Sequence, residues 1–238
     1  MLRTGHAEGA LARWRTLHEL VVVATFLSDH DADHARRYLE HESIILWWDM
    51  APYQQHAKRL GLEPYTQAEL DEVSAERDRL LAKHGKRFDD PWGWLVGVVA
   101  KPTFAALEEA TKLDHWRPLY REANAAVHGG SARLSNRLGV DDALVTLLTG
   151  PSNLGLDAPG SDTALSLSMI TATTLLHRAN MDSLVSARVV IELADDARRA
   201  FEAGGKRLAE LVAADAKADA RRRRRRERYQ ERRAAQRT

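Results

Sequence analysis

Apolar side chains recur at intervals of three and four along most of this chain. In the first such segment, about residues 8–27, Leu11, Trp14, Leu17 and Val21 fall on one side of a helix. This period predicts a helix with one buried face. Alternating segments with hairpin turns, which would predict strands, do not occur. The pattern therefore predicts an all-α fold, a bundle of about six to eight helices.

Helix start and stop signals divide the first half of the chain. Asp31 or Asp33 can accept hydrogen bonds from the first turn of a second helix, which Gly61 is expected to end. Thr66 and Glu69 form a capping box for a third helix, because each side chain can accept the backbone N–H of the other residue. That helix is highly charged, so we expect most of its surface to face solvent.

The second half is predicted as shorter helices followed by a long one. Residues 103–113 and 115–127 each show helical spacing, and the stretch 149–162 has three glycines, two prolines and no periodicity. That composition is typical of a surface loop. A long helical region is predicted to follow through Phe201, with a break near Asn180.

The chain has 238 residues, and its net charge changes sign near the C-terminal end. Residues 206–238 contain 13 Lys and Arg against 5 Asp and Glu, whereas residues 1–205 contain 22 against 29. The basic segment has almost no apolar face with which to pack. We therefore predict a helical domain over residues 1–205 and an arginine-rich tail over residues 206–238. The tail is expected either as an exposed helix or as a disordered segment detached from the domain.

Composition also bears on the class of protein. There is no cysteine, so disulfides, thiol catalysis and cysteine-bound zinc are excluded. The longest apolar runs, residues 20–24 and 44–48, are far shorter than the roughly 20 residues of a membrane-spanning helix. The polar N-terminus lacks the apolar stretch of a signal peptide. We expect a cytoplasmic protein with no membrane partner.

The strongest candidate for chemistry lies just before two glycines in the middle of the chain. Arg121, Asn124 and His128 are spaced at i, i+3 and i+7, and so share one face of a helix. Neutral His128 can take a proton from a ribose 2′-hydroxyl while Arg121 stabilises charge on the phosphate oxygens, a route that needs no metal or cofactor. Asn124 would orient the imidazole or bind the substrate. In the structural alternative, His128 packs near a helix end and Arg121 pairs with a nearby acid.

Glu19 is a second candidate, because it directly precedes the apolar run of residues 20–23. A carboxylate with poor access to water is costly unless it is paired. Arg15 is its local candidate partner, and a pair with Arg121 would orient that arginine for catalysis. We predict the Glu19 carboxylate within salt-bridge distance of Arg121 or His128. An ordinary ion pair that fixes helix packing is the alternative.

Three segments resemble a bacterial family whose function is not assigned. They are Arg15-Thr16-Leu17-His18-Glu19, Arg37-Tyr38, and Tyr120 through His128, and the likeness extends over roughly residues 10–200. The segment from Arg121 to His128 is also similar to the Arg-(four to six residues)-His motif of the HEPN superfamily of helical nucleotide-binding domains. That similarity implies a metal-independent ribonuclease of a defence or toxin–antitoxin system. It also implies a homodimer with the motif at the subunit interface.

Histidines and tryptophans suggest two further kinds of site. His30 and His34 are four residues apart and are flanked by aspartates, a spacing that suits zinc binding on a helix. Because the aspartates are expected to start that helix, His30 would lie outside it, and no metal site is predicted. The tryptophans could stack on bases, but tryptophans in a helical protein of this size are more often core anchors.

The densest charge lies in a run of tail arginines: Arg221, Arg222, Arg223, Arg224, Arg225, Arg226 and Arg228. Such a positive field attracts nucleic acid or an acidic protein surface without sequence preference. A solubilising tail, or one that docks on the acidic part of the same chain, is the alternative.

Two functions stay open. One is a HEPN-like, metal-independent ribonuclease or nucleotide-binding protein, and the other is a non-catalytic helical module whose tail binds nucleic acid or an acidic partner.

Overall fold

The computed structural model describes residues 1–127, 153–177 and 180–235, except for the side chains at 219, 226 and 229–235. These residues form almost entirely helices, and no strand occurs among them, so the predicted all-α fold is confirmed. The α-helices of the described residues are α1 Ala7–Ser28, α2 Ala32–Leu60, α3 Gln67–His84, α4 Phe104–Ala110, α5 Arg117–Val127, α6 Asp157–Leu176 and α7 Met181–Ala235.

The predicted helix ends of the first half are confirmed by their capping contacts. The Asp31 carboxylate accepts the backbone N–H groups of Asp33 at 3.0 Å and His34 at 3.2 Å, which satisfies donors in the first turn of α2. Gly61 ends α2 with a φ of 71°, a conformation that glycine adopts without steric cost. Thr66 and Glu69 form the reciprocal capping box at the start of α3.

Three boundaries in the second half differ from the prediction. α4 ends at Ala110 rather than near residue 113, and Lys112 adopts a left-handed φ of 59°, which a continuing helix does not allow. A 3₁₀ turn at Asp114–Trp116 precedes α5, so the helix predicted over 115–127 is shorter. The loop predicted over 149–162 is wrong at its end, because α6 begins at Asp157. Pro159 lies in the first turn of α6, where its missing N–H costs no helical hydrogen bond.

The chain forms two compact units. The terminal unit comprises the described residues of Met1–His18 and Tyr120–Thr238, and the central unit comprises Glu19–Leu119. Helices α1 and α5 each contribute residues to both units. The first half of α1 and the larger part of α5, including Arg121 and Asn124, therefore belong to the terminal unit, whereas Glu19 belongs to the central unit.

The terminal unit is built on an antiparallel pair of helices, α6 and α7. Gly160 of α6 packs on Phe201 of α7 so closely that a Cβ at residue 160 would lie 2.4 Å from the aromatic ring. α1 packs on the same pair, because Trp14 is 1% exposed and its indole N–H donates to the Ser166 hydroxyl at 3.0 Å. The predicted break near Asn180 is confirmed, and Asn180 caps α7 by accepting the N–H of Ser183 at 2.9 Å.

The central unit has a conventional apolar core with ion pairs at its border. Leu80 and Phe88 are fully buried, and Gly93 approaches Phe88 so closely that any Cβ would clash with the Phe88 carbonyl. Glu108 is also fully buried, and its carboxylate pairs with the Arg117 guanidinium. This buried pair is a structural feature that the sequence patterns did not predict.

The arginine-rich segment continues α7 without interruption as far as Ala235. The predicted boundary between residues 205 and 206 therefore falls inside a helix, and a separate tail stays a prediction. Of the two forms expected for this segment, the helix is the one observed, which agrees with the high helix propensity of alanine and arginine. Among the described helices, none is both long and apolar enough to cross a membrane.

Candidate functional site

The outer face of α5 presents the two described residues of the predicted motif. Arg121 is exposed, Asn124 is half-buried, and Tyr120 and Ala123 are buried, so Asn124 lies at the border between the exposed and the buried side of the helix. Arg121 makes no hydrogen bond or ion pair with the other described residues of the terminal unit. His128, the predicted base, lies outside the described residues. The structural alternative for Arg121, a pair with a nearby acid, therefore does not occur within the described part of this unit.

Arg15 of α1 joins α5 through two hydrogen bonds. Its Nε donates to the Asn124 side-chain oxygen, and its Nη2 donates to the Tyr120 hydroxyl at 3.1 Å. The guanidinium also lies over the Tyr120 ring, 5.3 Å from the ring centre, a cation–π geometry. Because Tyr120 is 5% exposed, these contacts anchor the half-buried Asn124 to a fixed part of the unit.

Two aromatic side chains of α1, His18 and Trp14, support Tyr120. The His18 ring is 2% exposed and lies 5.7 Å from the Tyr120 ring and 5.5 Å from the Trp14 indole, between centres. Trp14 in turn is fixed by its hydrogen bond to Ser166 of α6. The side of α5 that carries Asn124 is therefore held by α1, which is itself fixed by α6.

Among the described residues of the terminal unit, Asp162 of α6 is the one whose pKa is strongly displaced. Burial raises the pKa of the Asp162 carboxyl from 3.8 to about 6, and the charge of Glu122 acts in the same direction. Arg198 and His18 oppose the shift without cancelling it. Next to it, the Ser161 hydroxyl is buried and has no hydrogen-bond partner among the described residues. The acid therefore lies in a polar but poorly hydrated part of the unit.

The predicted site residues are only partly brought together. Arg121 and Asn124 share the face of α5, as the i, i+3 spacing predicted. Glu19 belongs to the central unit and Arg121 to the terminal unit, so their predicted ion pair stays a prediction. The sequence suggested Arg15 only as a partner of Glu19, and no pattern in it pointed to Asp162. Arg15 and Tyr120 do fall within the segments that carry the family resemblance, which was the available signal.

No group of three or more histidine, aspartate or glutamate side chains that could hold a metal ion occurs within the described ranges. His30 lies before the first residue of α2, as predicted, since Asp31 is the N-cap. Its Nδ1 contacts the Phe26 carbonyl oxygen at 2.6 Å, and the Nδ1 of His34 contacts the Asp31 carboxylate at 2.8 Å. Both histidines are thus engaged in local contacts at the start of the helix.

The tail arginines whose side chains are described are all exposed: Arg221, Arg222, Arg223, Arg224, Arg225 and Arg228. Arg226 lies on the same helix, with its side chain outside the description. Since the helix is continuous, the arginines with described side chains point to all sides of α7.

Comparison with known proteins places the chain in a family. A family model matches residues 1–143. The chain belongs to the Family of unknown function (DUF5677). No curated protein and no solved structure matches it significantly. The DUF5677 segment spans α1 to α5 and therefore includes Arg15, Arg121, Asn124 and His128, whereas α6, α7 and the arginine run lie beyond it. The predicted membership in a helical family of unassigned function is confirmed.

Proposed function

We propose that this DUF5677 protein binds RNA at the outer face of α5 and cleaves it without a metal ion, as a HEPN-like ribonuclease. The observation that carries the proposal is the exposed Arg121 guanidinium, which no carboxylate in the described part of the terminal unit neutralises. An unneutralised arginine one turn from a half-buried amide is suited to a phosphate, which accepts hydrogen bonds and carries negative charge.

In the proposed reaction, neutral His128 removes the proton of a ribose 2′-hydroxyl, and the 2′-oxygen attacks the adjacent phosphorus. The bond to the 5′-oxygen breaks, and the proton returns to that leaving oxygen from the imidazolium or through water. The products are a 2′,3′-cyclic phosphate and a 5′-hydroxyl. Arg121 stabilises the charge that develops on the non-bridging oxygens.

The network around Arg15 supports this assignment, because a catalytic face must be held in one geometry. Arg15, Tyr120 and His18 join α1 to α5 and leave Arg121 on the outside. The homodimer that the HEPN similarity implies belongs to the same proposal, and light scattering of the purified chain determines it.

The test is cleavage of a mixed-sequence single-stranded RNA by the full chain in EDTA. We expect cleavage to survive EDTA and to fall by about 10²- to 10⁴-fold in His128→Ala. His177→Ala is the matched control, since His177 is exposed at the end of α6 and takes no part in the proposal. Cleavage that needs a divalent metal, or that persists in His128→Ala, would reject the proposal.

A second candidate, a non-catalytic module that binds nucleic acid through its tail, is favoured by the exposed arginines of α7. Each phosphate that they neutralise adds about 0.7 to 0.9 to the slope of log affinity against log salt. One variant distinguishes the ribonuclease from the tail-binding module. It replaces five tail arginines by glutamine: Arg221→Gln, Arg222→Gln, Arg223→Gln, Arg224→Gln and Arg225→Gln. Under this candidate the variant loses RNA binding and its salt dependence, and no form of the chain cleaves RNA.

A further inference from the structure

The contact between Arg15 and Asn124 fixes which way the Asn124 amide points. A guanidinium has only donors, and of the two ends of an asparagine amide only the oxygen accepts. Since Arg15 Nε donates to this amide, the acceptor must be the Asn124 oxygen. The amide nitrogen, with its two N–H donors, is therefore turned away from Arg15.

The Asn124 amide nitrogen has no acceptor among the described residues, and it is not enclosed by protein. It lies one helical turn from the Arg121 guanidinium, on the same face of α5. The face thus offers two neighbouring sets of donors, and among the described residues of the terminal unit no carboxylate accepts from either set. A group that only accepts hydrogen bonds and is negatively charged matches both sets, and a phosphate is such a group.

We infer that Asn124 is a phosphate-binding donor and that Arg15 is the positioning residue that holds it in that orientation. This inference rests on the proposed function and assigns the roles of two residues within it. The other role considered for Asn124, accepting the N–H of the His128 imidazole, requires the same oxygen that Arg15 occupies. Donation from the amide to the imidazole would block the nitrogen that must act as base.

Arg15 is well placed to keep the amide from turning over. Its second hydrogen bond and its cation–π contact both go to Tyr120, which is buried. A flipped amide would place N–H donors against the guanidinium donors, so the reverse orientation is disfavoured. The phosphate site is therefore set before RNA arrives, which lowers the entropic cost of binding.

The test uses the full chain and a 2′-O-methyl RNA, which has no 2′-hydroxyl and is not cleaved. Asn124→Asp keeps the oxygen that Arg15 needs, but it replaces the donors by a negative charge. We expect its affinity for this RNA to fall about tenfold to hundredfold, with Tm unchanged or raised. Arg13→Ala is the matched control on α1, because Arg13 is exposed, and it should lower affinity far less.

A second readout addresses orientation directly. Titrating the ¹⁵N-labelled protein with inorganic phosphate should shift the side-chain NH₂ signal of Asn124 in the wild type but not in Arg121→Ala. Arg15→Lys keeps the charge but lacks the planar fork of donors that reaches both Asn124 and Tyr120, and it should weaken binding far more than Arg13→Ala does. If the wild type binds the RNA and Asn124→Asp binds it equally well, the inference is wrong and the proposed function survives. If the wild type neither binds nor cleaves RNA, both are wrong.

Discussion

Two arginines on the surface of this protein, Arg77 and Arg121, are used in opposite ways. Arg77 of α3 donates from its Nε to the Asp89 carboxylate at 3.0 Å, pairs with the same carboxylate through Nη2, and lies over the Trp47 ring. Its side chain is 23% exposed. Arg121 of α5 is exposed and has no such carboxylate among the described residues of its unit.

The difference separates a charge that stabilises the fold from one that is available to a ligand. Arg77 lowers the pKa of Asp89 chiefly through its hydrogen bond, and Trp48 adds a second donor to the same carboxylate. The donors and the charge of that cluster are therefore satisfied within the central unit. Within the described part of the terminal unit no carboxylate pairs with the Arg121 guanidinium, so an anionic ligand can bind it without breaking an ion pair there.

Breaking the satisfied cluster should produce the largest loss of stability. Arg77→Ala leaves the partly buried Asp89 carboxylate without its partner, and we expect a loss of about 1–2 kcal/mol, which is a Tm lower by about 2–8 °C. Arg79→Ala is the control on the same helix, because the Arg79–Glu76 pair is exposed and should contribute little. Thermal unfolding of both variants measures the difference. Equal Tm values for the two variants would mean that the Arg77–Asp89 pair does not stabilise the fold.

The same cluster should give an acid-sensitive component of stability. The pKa of Asp89 is lowered below its ordinary 3.8 in the folded chain, so the pair stabilises the fold above about pH 4. That stabilisation is lost as the pH falls through the lowered pKa. Urea unfolding from pH 6 to pH 2.5 should show a steeper loss of stability for the wild type than for Asp89→Asn. Parallel curves would mean that the pair does not form in solution.

Asp162 should show the opposite sign and a smaller effect. Its pKa is raised to about 6, so the folded chain binds a proton more tightly than the unfolded chain, and stability falls as the pH rises from about 4 to 6. Asp162→Asn removes the cost of a charged, half-buried carboxylate. After allowance for solvent screening, we expect about 1 kcal/mol, or about 2–4 °C in Tm, at pH 7.5. The gain should vanish near pH 4, and a gain that is independent of pH would contradict the assignment.

The parts of the fold that the sequence predicted are those fixed by neighbouring residues. The N-cap at Asp31, the capping box at Thr66 and the stop at Gly61 each depend on side chains within a few residues, so local pattern was sufficient. The start of α6 was missed because glycine and proline suggest a loop, although both are tolerated in a first helical turn that packs on another helix.

Within the candidate site, the spacing of Arg121 and Asn124 was predictable because it follows from helical geometry alone. The contact between Arg15 and Asn124 was not, since the two residues are 109 positions apart and meet only through tertiary packing. The burial that raises the pKa of Asp162 likewise arises from packing between helices that are distant in sequence, so no local sequence pattern predicts it.

The most direct test of the account measures RNA cleavage in EDTA and Tm together, for Arg121→Ala and Arg77→Ala. We expect Arg121→Ala to lose at least about 100-fold in cleavage rate while its Tm stays that of the wild type. Arg77→Ala should instead have a lower Tm than the wild type. At temperatures well below its own Tm it should cleave RNA at the wild-type rate. Two results would contradict this assignment. Arg121→Ala would cleave RNA at the wild-type rate, or folded Arg77→Ala would lose cleavage. Either would mean that Arg121 does not bind RNA for cleavage, or that Arg77 does more than stabilise the fold.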